Sequence, residues 1–117
     1  MEYLGDEDGP APKLKHVALD RRQAVEVFTS LMDQIALWLS CERIHGDLSP
    51  FNILWWKERE VVIDFPQAVN PYENPDSLLL MERDIRNLVT FFAPYGVAAD
   101  PERISRDLWA RFQRSEL

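Results

Sequence analysis

Residues 44–52 read IHGDLSPFN, and the fold assignment turns on them. A His, an Asp, a Ser, a Pro and an Asn are packed together, directly ahead of the apolar run ILWW at 53–56. A strand seldom needs so much polarity beside it. The segment is either a polar turn whose side chains bond their own backbone, or a loop that carries chemistry.

The flanking sequence places the segment between a long helix and a hairpin. Upstream, Asp20 is a helix N-cap and Gln23 completes a capping box. Val25, Phe28, Leu31, Met32, Ile35 and Leu39 then recur at helical spacing, and the apolar face continues through Trp38. That spacing predicts a buried helix of about twenty residues. Downstream, 53–56 and 61–65 are β-prone runs joined by KER at 57–59, which reads as a hairpin with a three-residue turn. Beyond a breaker-rich loop, Asn74-Pro75 marks a second helix start. Leu78, Met81, Ile85, Leu88, Val89 and Phe92 line one face of that helix. Asp100-Pro101 repeats the signal, with Ile104, Leu108 and Phe112 following. The expected class is α+β, mainly α: long helices with one small hairpin.

A three-residue turn sets position 56 opposite 60, and 52 opposite 64. Facing residues on antiparallel strands lie about 4.5–5.5 Å apart at Cα and point to the same side. Asn52 and Asp64 would then meet at the open end of the hairpin, with Asp47 in the loop leading into it. Two carboxylates and a carboxamide form an oxygen-rich cluster suited to Mg2+, which keeps waters and substrate phosphates as its other ligands. Such a cluster serves phosphoryl transfer: one Asp takes the proton of the attacking hydroxyl, while the Asn and the other Asp hold metal on the nucleotide phosphates.

Composition bounds the alternatives. The chain has 117 residues, 46% hydrophobic and 28% charged, with four Trp and six Phe, which suits one domain with a real core. A formal net charge of −7 argues against a phosphate-backbone ligand, so direct nucleic-acid binding is not expected. The lone cysteine, Cys41, permits neither an internal disulfide nor a Cys-based zinc site and reads as a small residue at a helix end. No signal peptide and no membrane span are visible. A soluble, cytoplasmic protein is expected.

The words HGDLSPFNILWW and VVIDFPQAV together resemble the catalytic and metal-binding loops of the RIO family of atypical serine/threonine protein kinases. MEYLGDEDGPAPKLKHV is similar to that family's hinge and the segment after it, and NPDSLLLMERDIRNLVTFF resembles the helix after its metal-binding loop. The resemblance covers nearly the whole chain. HGDxxxxN with IDF is shared with aminoglycoside phosphotransferases and choline-kinase-like proteins, whereas IDFPQ and PAPKLK separate RIO from them. It implies a protein-kinase-like C-terminal lobe, with residues 1–17 as hinge and connector and 18–117 as the lobe proper.

By position, Asp47 resembles the catalytic aspartate, and Asn52 and Asp64 resemble the ligands of Mg2+ (or Mn2+). Glu2 and Leu4 fall where backbone groups hold the adenine of ATP. Ser49 either contacts substrate or phosphate, or caps a turn. His45 resembles the loop histidine that packs beneath the site. Asp84 is either a solvated helix residue or a buried acceptor bracing the loop. The family's Gly-rich loop, phosphate-binding Lys and its Glu partner have no counterpart, because the four glycines are scattered at Gly5, Gly9, Gly46 and Gly96. The expectation is an N-terminal lobe outside this chain, a lobe inactive by itself, and an apolar underside prone to self-association. The protein substrate is left open, with ribosome-assembly factors implied by the family. Two other readings stand beside this one: a small-molecule phosphotransferase, and a non-catalytic interaction domain.

Overall fold

Helix α1 (Arg21–Ser40) starts where Asp20 accepts from Gln23 N–H, while the Gln23 side chain accepts from Asp20 N–H. The capping box is reciprocal, so two of the donors that a helix start leaves orphaned are bonded. The helix is one part of a computed structural model that describes residues 5–6, 9–63 and 69–117. Ahead of it come the short antiparallel strands β1 (Gly5–Asp6) and β2 (Gly9–Pro10), then a 3-10 turn over Leu14–His16. After it come a 3-10 turn at Pro50–Asn52, strands β3 (Ile53–Trp56) and β4 (Arg59–Val62), and helices α2 (Ser77–Phe92) and α3 (Pro101–Gln113). The mainly helical class with the small β3–β4 hairpin is the one the sequence predicts, and the two-residue strands β1 and β2 form a further pair within the connector.

The core lies between α1 and α2. Ala24, Val27, Leu31, Ile35 and Leu39 of α1 are buried, as are Met81, Ile85, Leu88 and Phe92 of α2. Phe28 meets Phe92 edge-on with ring centroids 5.6 Å apart, an arrangement the ring quadrupoles favour. Leu108 of α3 joins the same cluster, and Leu14, Ile44, Leu48 and Ile53 tie the connector, the loop and the hairpin to it. Each fully buried Leu, Ile or Phe contributes roughly 1.5–3 kcal/mol.

Three details differ from expectation. Val25 is 44% exposed, because the buried stripe of α1 runs through Ala24 and Val27, one position to the side. Helix α2 begins at Ser77, not at Asn74; Asn74 instead closes a turn ahead of it, accepting from Asp76 N–H at 2.8 Å. The hairpin loop has two residues, not three: Lys57 and Glu58, both at positive φ (51° and 62°). Two successive left-handed residues match the right-handed twist of the strands, and a three-residue loop is unnecessary. Trp56 therefore faces Arg59 and Ile53 faces Val62, so the ladder continues with Ile63 N–H on Asn52 C=O at 2.9 Å. Position 52 lies opposite 63 rather than 64, one residue out of the expected register.

Candidate active site

The loop is delivered by the end of α1. Arg43 N–H bonds Trp38 C=O at 2.8 Å and Glu42 N–H bonds Leu39 C=O at 2.9 Å. With Glu42 at φ 61°, this is a Schellman closure that turns the chain back across the helix end. Ile44 then exchanges backbone hydrogen bonds of 2.9 and 2.8 Å with Val69, on the far side of the hairpin. His45 is 3% exposed; its Nδ1 accepts from Asp47 N–H at 3.1 Å, and its ring lies 6.2 Å from that of Trp38. It packs under the loop.

From below, α2 grips the loop backbone. Gly46 N–H donates to Asp84 Oδ2 at 2.8 Å and Leu48 N–H to Asp84 Oδ1 at 2.9 Å. The Arg83 guanidinium donates to Gly46 C=O, and Asn87 Nδ2 donates to Leu48 C=O at 3.0 Å. Two N–H groups and two C=O groups of the loop are thus all held by three side chains of one helix. Gly46 sits at φ 86°, a conformation that a side chain would strain. Asp84 is 2% exposed, and burial pushes its carboxyl above the usual range, against the opposing pull of the Leu48 and Gly46 amides. Of the two sequence readings of Asp84, the buried brace is the one found. Arg83 and Asn87 escaped the sequence reading, although both stand in the same ERDIRN word and share its helix face by i, i+4 spacing.

The loop's own side chains close it from above. Asn52 Oδ1 accepts from Ser49 N–H at 2.8 Å, and its Nδ2 donates to Asp47 C=O at 2.8 Å. Ser49 Oγ accepts from Phe51 N–H at 3.3 Å, so Ser49 caps the 3-10 turn. The carboxamide of Asn52 therefore locks the backbone carrying Asp47 while a second lone pair of Oδ1 is left over. Asp47 itself is exposed, and its carboxylate has no hydrogen-bond or ion-pair partner among the described residues. The loop thus presents two separate groups: a fixed Asn52 carboxamide oxygen of the kind a hard divalent cation takes, and an Asp47 carboxylate free to accept a proton. Three of the residues expected at the site, Glu2, Leu4 and Asp64, lie outside the described residues, and no cluster of three His, Cys, Asp or Glu occurs among the described ones. Among the described residues, no helix is long and apolar enough to cross a membrane.

Comparison with known proteins gives a consistent result. A family model described as RIO domain matches residues 1–104. The chain is 34% identical over 104 residues to the RIO-type serine/threonine-protein kinase Rio1 of Thermoplasma acidophilum, covering 89% of this chain and 53% of that protein. It is 36% identical over 98 residues to human serine/threonine-protein kinase RIO3, covering 83% of this chain and 19% of the relative. The chain thus spans about half the length of the archaeal relative and a fifth of the human one. Among solved structures, the Rio2 kinase of Chaetomium thermophilum, in complex with ADP/Mg2+ and phosphoaspartate, superposes with a TM-score of 0.68. That match has 24% identity and covers 84% of this chain and 32% of that one, which speaks to the fold.

Proposed function

The chain belongs to the RIO domain family, and from that footing we propose that it supplies the catalytic and metal-binding loops of a serine/threonine protein kinase or ATPase using Mg-ATP. One observation carries the proposal: an Asp47 carboxylate with no partner among the described residues stands on a loop whose backbone is held by Asp84, Arg83, Asn87 and Asn52. A group left exposed by a fold that fixes everything around it is preorganised for a ligand.

In this reading Asp47 accepts the proton of the acceptor hydroxyl as that oxygen attacks the γ-phosphorus and the bond to the bridging oxygen breaks. Asn52 Oδ1 and Asp64 would hold Mg2+ (or Mn2+), which supplies charge neutralisation at the phosphate oxygens. Asn52 has a second task, fixing Asp47 through its carbonyl. Glu2 and Leu4 would hold adenine through backbone groups, and Ser49 would reach substrate or phosphate with the hydroxyl proton that its capping bond leaves unused. The ADP/Mg2+ complex of the Chaetomium relative supports the choice of nucleotide and metal. Turnover further needs a Gly-rich lobe over the phosphates, and no segment of this sequence has that composition.

Asp47→Ala tests the assignment, measured in a form of the protein that turns over. Transfer should fall by roughly a hundredfold or more, as for loss of a general base, while Mg-ATP affinity stays within a few-fold. Undiminished turnover would remove Asp47 from its role.

A further inference from the structure

We propose that Phe51, Lys13 and Lys15 form an acceptor-docking surface beside the catalytic loop, and that its ligand is an extended acidic peptide. The inference rests on the phosphoryl-transfer reading of the loop and names the substrate class of that site.

Phe51 is the middle residue of the Pro50–Asn52 turn and is 54% exposed, a large apolar ring facing solvent where neither the core nor the hairpin uses it. Lys15 places its Nζ 3.9 Å from the centroid of that ring, and Lys13 Nζ lies at 6.0 Å. These positions are within the range where an ammonium feels the ring's negative face. The backbone beneath the lysines is firmly seated. Lys13 pairs with Leu54 of β3, Pro12 C=O accepts from Trp55 N–H at 2.8 Å, and Leu14 is fully buried. Both cations are therefore delivered to one place by a fixed segment.

In a chain of net charge −7, Arg22, Arg86, Arg106, Arg111 and Arg114 all have carboxylate partners. Lys13 and Lys15 have none among the described residues, as is also true of Lys57, Arg21, Arg43, Arg59, Arg83 and Arg103; what distinguishes the two lysines is that both stand at one exposed ring. Two ammoniums with no carboxylate partner among the described residues, placed around an exposed ring, offer charge pairing to carboxylates and apolar contact to the side chain between them. The place is defined as well. Phe51 adjoins Asn52, which bonds the Asp47 carbonyl, so a peptide presenting its hydroxyl to Asp47 lays its neighbouring residues over the ring and the lysines. Two lysines on a strongly acidic chain are too few to hold a nucleic-acid backbone. An acidic peptide is the better fit.

The test is fluorescence anisotropy on this chain without nucleotide, with labelled peptides of equal length centred on Ser and flanked by Glu, by Gly or by Lys. The Glu-flanked peptide should bind roughly tenfold more tightly than the neutral one, and added salt should shrink the difference. The double variant Lys13→Glu/Lys15→Glu changes only exposed side chains, and it should invert the order in favour of the Lys-flanked peptide. Phe51→Ala should weaken the Glu-flanked peptide several-fold while retaining the order. Equal binding of all three peptides, a wild-type preference for Lys, or an order unchanged in the double variant would each overturn the proposal. So would displacement of the Glu-flanked peptide by a single-stranded RNA at lower concentration, which would assign the surface to nucleic acid. Mg-ATP binding is read separately, so its loss counts against the nucleotide site and not against this surface.

Discussion

A carboxylate inside a helix and out of reach of water is costly unless its oxygens are occupied, and Asp84 spends one oxygen on each of two loop amides. Asp84→Ala would leave the Gly46 and Leu48 N–H groups buried without an acceptor. We expect a loss of roughly 2–5 kcal/mol, read as a lower denaturant midpoint. A change within about 0.5 kcal/mol would mean that the loop does not depend on the brace. The pH dependence has a definite sign. Because the folded carboxyl is raised by burial, the native state keeps a proton that the unfolded chain has already released. Stability therefore falls as pH rises from the ordinary carboxyl range, near 4, through the raised value, and is level on either side. Measured against Asp84→Asn, which cannot titrate, the wild type should lose ground across that window. A gain across it would contradict the assignment.

Elements were legible where two independent signals agreed. Asp20 with Gln23, and Asp100 with Pro101, each coupled a cap to a helical period, and both helices start where those residues put them. The buried stripe of α1 was misplaced by one residue at Val25, because Ala24 is fully buried yet too small to mark a face. The hairpin register failed for a related reason. Lys57 and Glu58 occupy left-handed positions usually held by Asn or Gly, so nothing in KER announced a two-residue loop. Glu42 fills the left-handed position at the end of α1 in the same unsignalled way. Both positions make a prediction. Glu58→Gly and Glu42→Gly should each raise the melting temperature, by the equivalent of roughly 1 kcal/mol of relieved strain. A lowered melting temperature at either position would mean that the Glu side chain contributes more than its backbone conformation costs.

At the scale of the molecule, the helical core and the loop form one connected unit. Leu48 is fully buried in the core while its N–H and C=O are held by Asp84 and Asn87, so the segment carrying Asp47 is anchored at side chain and backbone together. The family words made the loop legible as a site, and the fold supplies the part they did not announce: a single face of α2, from Arg83 to Asn87, that sets its geometry. In the proposed function this loop, with Asp64, would build a metal–nucleotide site. The most direct test is calorimetric titration of ATP into the chain with and without Mg2+, alongside Asp64→Ala. Binding should require Mg2+ and disappear in the variant. Binding that persists without metal, or is unchanged in Asp64→Ala, would contradict the proposal.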